Sequence, residues 1–334
     1  MNSSKYGRHI KKLLESTKID QSDVLDYSHQ PLENVYEQLF LFCEENIDRF
    51  SINFNIQPAY FFYKNTTKVN AGASFRDNSY VIFMTQGLIV RLNKKLGRNR
   101  QFIQNSKFSE LKKLQNELTD DLGHLMFQCS MIFIFYHEFA HLVQQKKEPF
   151  YLNENPKETD FNFERHVCEY DADRAGALFV SMYIQQYYTE QLKENLKTKD
   201  NFNNLMYLGI TSIIITFILF SNGELNNEKA TLNGLEFYTK ETTHPHTFVR
   251  LNYILKQYIH TAKSNYATIG TQDTLSKVSQ ISHEFFNDTG AFKNFATNFN
   301  QNIDEINKYD MELNLASQKM KNLIRHKIDL FKLE

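Results

Sequence analysis

Apolar residues recur at intervals of three and four along Asn34–Phe50, Leu251–His260, Thr274–Phe286 and Ile303–Leu333, and each stretch predicts an amphipathic helix. The last is long and charged; it reads as a cap on the core, with a partner-binding helix as the alternative. Two other segments are apolar on nearly every side: the one leading from Leu125 into His137 and His141, and Leu205–Phe220. A helix without a polar face belongs in a core or a bilayer. Leu205–Phe220 falls short of the roughly 20 residues that cross a bilayer, so it predicts a core helix, with membrane insertion as the alternative. One strand signal stands out. Tyr80–Met84 is β-branched and aromatic and follows the polar turn Arg76-Asp77-Asn78-Ser79. As an edge strand it would offer free backbone groups to an extended peptide; as a plain structural strand it would not. The pattern predicts an α+β, mainly α protein.

Composition narrows the classes. With 38 Lys and Arg against 39 Asp and Glu, the net charge is −1, which predicts no nucleic-acid partner and no general attraction to anionic membranes. Three cysteines, Cys43, Cys129 and Cys168, have no paired metal-type spacing and form no disulfide framework. Cys129 and Cys168 are predicted as small buried apolar residues. Met1–Gln21 has no apolar core, so no secretory signal is read and a cytoplasmic protein is expected, membrane association being the lesser alternative. Pro and Gly are sparse, and the candidate boundaries are soft: Asn153–Asp160, Ser221–Lys229 and Ser264–Thr271.

The chemistry concentrates at His137-Glu138-Phe139-Ala140-His141. Residues four apart share a helical face, so His137 and His141 can offer two imidazole nitrogens to one tetrahedral metal ion. Glu138 then lies beside the open coordination position, placed to take a proton from water. A second helix, Glu164–Ala177, offers Glu169 and Asp173 on one face, one carboxylate as third ligand and the other as its support. Ala172 and Gly176 are small enough to let this helix approach the first closely. The acidic residues read alternatively as a solvated patch. His283-Glu284 begins the same pattern but has Asn287 in place of a second histidine, and reads as a surface helix or turn.

Taken together these residues resemble the gluzincin metallopeptidases, in the HtpX-like branch, and within it the Lit-like phage-exclusion peptidases. Two further stretches carry the resemblance: Asn70-Ala71-Gly72-Ala73 with Thr85-Gln86-Gly87-Leu88, and Thr243-His244-Pro245 with Arg250 six residues after the histidine. The resemblance spans about residues 69–251. It implies a zincin-like core with a small antiparallel β-sheet lining the cleft, divided as an N-terminal helical region (1–68), a catalytic core (69–262) and a helical C-terminal extension (263–334). It further implies Zn2+ held by His137, His141 and Glu169, Glu138 as base, and Asp173 orienting a ligand histidine. His244 would bind the oxyanion, in preference to the nearby His246, and Arg250 would act there or hold the acidic helix. The implied activity is cleavage of a protein or peptide substrate, in phage defence; the alternatives are a membrane-associated quality-control protease and an inactive zinc-bearing binding module.

Overall fold

The computed structural model describes residues 4–331 apart from 106, 108, 119–120, 146–160, 222–224, 226–236, 266–268, 287–289 and 322. The boundary expected at Asn153–Asp160 lies outside the described residues, as does most of Ser221–Lys229. Among the described residues the chain is mainly helical, 72% helix, with one three-stranded sheet. It divides into two compact units: Met1–Arg91 with Phe135–Asn155 and Met320–Glu334, and Leu92–Ile134 with Pro156–Lys319.

The first unit opens with α1 (Lys5–Ser16) and α2 (Glu33–Phe54). Strands β1 (Ala59–Lys64), β2 (Ala71–Arg76) and β3 (Ser79–Thr85) follow, and then α3 (Gln86–Leu92). The strand order is β1-β3-β2, with β1 parallel and β2 antiparallel to β3. One expectation is thereby corrected, since the sheet is mixed rather than antiparallel; of the two readings of Tyr80–Met84, its place in the central strand removes the edge strand and leaves the structural one. The cause is β1. Its run Ala59-Tyr60-Phe61-Phe62-Tyr63-Lys64 has no polar alternation to mark it as a strand, because Phe61, Phe62 and Tyr63 are all buried. Tyr63 donates its hydroxyl to the Tyr36 carbonyl at 2.8 Å and its backbone N–H to the Tyr6 hydroxyl at 3.2 Å. Tyr27 and Phe40 complete this aromatic cluster.

The β2–β3 hairpin turns on Asp77 and Asn78, both with left-handed φ (48° and 61°), as a two-residue type I′ turn requires. Thr85 explains the pairing of Asn70 with the Thr85–Leu88 segment. Its hydroxyl donates to the Asn70 carbonyl (2.9 Å), accepts from the Asn70 N–H (3.0 Å), and accepts from Leu88 N–H (3.2 Å) at the start of α3. Gly87 has no room for a side chain: a Cβ there would lie 2.2 Å from the Thr67 carbonyl oxygen.

The second unit contains the short α4 (Arg100–Asn105) and α5 (Ser109–Glu117). It also holds α7 (Phe163–Gln186), α8 (Lys199–Ser221), α9 (Thr247–Asn265), α10 (Thr271–Phe285), α11 (Gly290–Gln301) and α12 (Ile303–Ser317). Helix α6 (Leu122–Gln144) runs unbroken and contributes residues to both units. Its all-round apolar character is explained by burial from Cys129 to Tyr136. Helix α8 is long and apolar enough to cross a membrane, but 83% of its most apolar window is buried within the protein. Its Thr216 hydroxyl lies 2.9 Å from that of Ser130 on α6, and Phe217 meets the edge of Phe133. It is therefore built into the core of its unit.

The single helix expected over Ile303–Leu333 is also corrected. Helix α12 stops at Ser317, where the side-chain hydroxyl turns back onto the Asn314 carbonyl (2.8 Å), and Ile324–Phe331 forms a separate 3₁₀ segment. A serine that bonds its own preceding turn competes with helix propagation, and the following Gln318-Lys319-Met320-Lys321 has too few apolar residues to override it.

Candidate metal centre

His137 and Glu138 are the only half-buried residues in the buried run from Cys129 to Val143 on α6. The helix is thus closed everywhere along this stretch except where the motif puts its first histidine and its carboxylate. His141, one turn on, is 6% exposed. The two Nε2 atoms are 3.1 Å apart, close to the separation of about 3.3 Å that two nitrogens adopt when each is 2.0–2.1 Å from a tetrahedral zinc. The other ring nitrogen of His141 faces Gln144 Oε1 at 2.8 Å. An amide oxygen can only accept, so Nδ1 carries the proton and Nε2 keeps its lone pair for a metal.

Glu169 is 3% exposed on α7. One ligand atom from each of His137, His141 and Glu169 lie within 4.8 Å of one another, a group that can hold a metal ion. Two imidazoles and a carboxylate are the donor set of catalytic zinc sites that keep a fourth position open. The set fits zinc on donor chemistry and on nitrogen spacing.

Close helix packing supports this placement. A Cβ on Gly176 would lie 2.8 Å from the Phe133 ring and 2.9 Å from its carbonyl oxygen, so α7 touches the backbone of α6 one turn before His137. Asn162 starts α7 by accepting the Arg165 N–H (3.0 Å) at its side chain, which fixes where Glu169 falls along the helix.

The carboxylates of α7 are held by α9 and the segment before it. Asp173 is fully buried; it accepts Arg250 Nε and Nη2, each at 2.7 Å, and the Tyr253 hydroxyl, also at 2.7 Å. Arg250 Nη2 reaches within 3.4 Å of Glu169 Oε2 as well. Burial opposes the charge of Arg250, but Asp173, with Glu169 beside it, outweighs that and raises the guanidinium pKa further above its ordinary value. His244 Nε2 lies 3.4 Å from Glu169 Oε1 with its ring half-exposed, while His246 is 1% exposed. His246 Nδ1 accepts the Phe248 N–H (3.1 Å) at the start of α9, and Phe237, Tyr238 and Phe248 ring it. The two histidines thus occupy different environments, His244 beside the Glu169 carboxylate and His246 in an aromatic box.

None of the family models, curated proteins or solved structures compared with the chain matches it. Function must be read from the side chains.

One residue gave no signal in the sequence. His166 on α7, fully buried, donates from Nε2 to the Thr242 carbonyl (2.7 Å) and meets the Tyr309 hydroxyl at Nδ1 (2.8 Å). It ties the Thr242–His244 segment to the helix that carries Glu169. Burial lowers its pKa, with the Thr242 carbonyl acting against that. Only its position three residues before Glu169, on the same side of the helix, could have pointed to it. His283-Glu284, by contrast, sits at the end of α10, where the Glu284 carboxylate accepts the Lys107 N–H.

Proposed function

We propose that this protein is a zinc-dependent endopeptidase acting on an extended segment of a protein substrate. The observation that carries the reading is the convergence of His137, His141 and Glu169, with Glu138 half-buried next to His137 on α6. His137, His141 and Glu169 would hold a zinc ion, which would supply Lewis acidity and lower the pKa of the attacking water. Glu138 takes the proton of the attacking water and returns it to the leaving amine. His244, half-exposed and 3.4 Å from Glu169 Oε1, would donate a hydrogen bond to the oxyanion that forms when the peptide carbonyl is attacked. Arg250 and Tyr253 act indirectly: by holding Asp173 and the rear of Glu169 they keep α7 in register for the ligand carboxylate.

Substrate selection follows from the sheet. The outer edge of β1 is covered, since Leu25 N–H donates to the Tyr63 carbonyl (2.8 Å) and Asn65 N–H to that of Asp23 (2.7 Å). The outer edge of β2 has no such cover among the described residues. An extended peptide can add there as a further strand, which favours unfolded or loop segments. The phage-defence role and the cytoplasmic setting rest on the resemblance; the burial of α8 counts only against its insertion in a membrane. Equal phage titres on hosts expressing wild type and Glu138→Gln would exclude the defence role.

The reading is tested by Glu138→Gln. A neutral amide cannot accept the proton, so metal content is expected to be unchanged while cleavage of a denatured protein substrate falls by about 10²- to 10⁴-fold. Full activity in this variant would overturn the mechanism.

A further inference from the structure

Three helices of the second unit leave a cavity of about 590 Å³ between them, open on one side. That is within the roughly 300–1,000 Å³ of small-molecule sites. The lining comes from regular stripes: Tyr170 and Arg174 on α7; Tyr253, Lys256, Gln257 and His260 on α9; Asn307, Asp310, Met311 and Asn314 on α12. Intervals of three and four are where helices facing one another ordinarily place aliphatic side chains. Here nearly every such position carries a hydrogen-bonding group.

The charges are unbalanced. Lys256 and Asp310 neutralise each other at 2.7 Å, and Asn252 also bonds Asp310 (3.0 Å). Arg174 has no carboxylate within ion-pair distance among the described residues. Its Nε and Nη2 donate to the amide oxygen of buried Gln257 and its Nη1 to the Tyr170 hydroxyl (3.2 Å), and its guanidinium lies 5.1 Å from the centre of the Tyr170 ring. These contacts fix the guanidinium without neutralising it, and leave two of its five N–H donors unused. A half-buried cation held in place by neutral partners at the wall of a cavity is arranged for an anion.

We propose that this cavity binds a small organic phosphomonoester. Phosphate is favoured over carboxylate because donor-bearing side chains line the cavity from all three helices: Arg174 on α7, His260 and the remaining N–H of Lys256 on α9, whose other donors are held by Asp310 and Asn307, and the Asn307 and Asn314 amides on α12. That suits a group with three acceptor oxygens better than a planar one with two. The cavity is much larger than a phosphate alone, and the Tyr170 and Tyr253 rings with Met311 provide contact for the organic body. The inference is independent of the metal centre. The two adjoin through Tyr253, whose ring faces the cavity while its hydroxyl bonds Asp173.

The test is calorimetric titration of the full chain with phenyl phosphate, inorganic phosphate and benzoate. Phenyl phosphate is expected to bind at one site per chain, more tightly than either other probe, and about tenfold or more weakly to Arg174→Gln. Met311 is 63% exposed at the rim, so replacing it leaves the fold intact. Both substitutions lose the methionine contact, so the charge is read from the pair: Met311→Lys should bind phenyl phosphate about threefold or more tighter than Met311→Glu. This pair decides the matter if Arg174→Gln does not fold. No saturable binding of phenyl phosphate, benzoate binding as tightly, or indifference to the charge at position 311 would overturn the proposal.

Discussion

Two neighbouring faces of α7 handle buried charge in opposite ways. On one, Asp173 is fully buried and receives three donors at 2.7 Å, two of them from Arg250. On the other, one residue further along the helix, Arg174 is fixed by a neutral amide and a phenol, with no carboxylate partner among the described residues. The first arrangement is complete, and removing either partner strands the other. The second is incomplete, and its incompleteness is the reason to look for a ligand. A strongly paired buried charge therefore marks structural support for a site, whereas a positioned but unneutralised one marks a site in its own right.

The comparison is broken most forcefully at Asp173. Asp173→Ala leaves Arg250 charged and largely buried, and should cost about 3–5 kcal/mol of stability in a denaturant titration. A loss below about 1 kcal/mol would show that the pairing is not needed to hold α7 and α9 together.

Next comes His246, which, like Arg174, is incompletely matched: its Nε2 is buried and has no hydrogen-bond partner among the described residues. Burial lowers its pKa from 6.5 to about 4. The folded state therefore holds the neutral ring while the unfolded chain binds a proton below pH 6.5. The stability this residue contributes is present above about pH 6.5 and is lost as pH falls toward 4, by about 3 kcal/mol at the limit. His246→Asn keeps a side-chain acceptor for Phe248 N–H and should lose most of that acid sensitivity. An unchanged difference between the pH 7 and pH 4 denaturation midpoints would place the acid sensitivity elsewhere.

The smallest effect is expected at Arg174. Arg174→Gln should change stability by only about 1 kcal/mol, because the guanidinium bonds only neutral groups and sits at a half-exposed position. A loss as large as that of Asp173→Ala would mean that Arg174 is a structural member of the core and not a ligand-binding residue.

What could be read from the chain followed from local periodicity. The four-residue spacing of His137 and His141 placed two imidazoles on one helical face, and Gly176 announced the close approach of α7 to α6 one turn before them. Leu205–Phe220 was legible as a core helix because it was apolar on every side yet short. What could not be read depended on distant partners. β1 gave no strand signal, since a run buried on both faces by tyrosines and phenylalanines loses the alternation that marks a half-exposed strand. Without β1 in view, the sequence does not distinguish an edge position for Tyr80–Met84 from a central one. His166 matters because it reaches Thr242 and Tyr309, 76 and 143 residues away in sequence, and no local pattern encodes such contacts. The cavity is invisible for the same reason: each of its three polar stripes resembles an ordinary solvated helix face until the helices pack against one another.

The central claim is the metal centre, and metal content tests it most directly. Purified wild-type protein should carry one zinc per chain, while His141→Ala and Glu169→Gln should hold it weakly or not at all, with helical content retained in each. A wild type that takes up no zinc on reconstitution, or variants that keep it as firmly as wild type, would contradict the three-ligand site and the peptidase reading built on it.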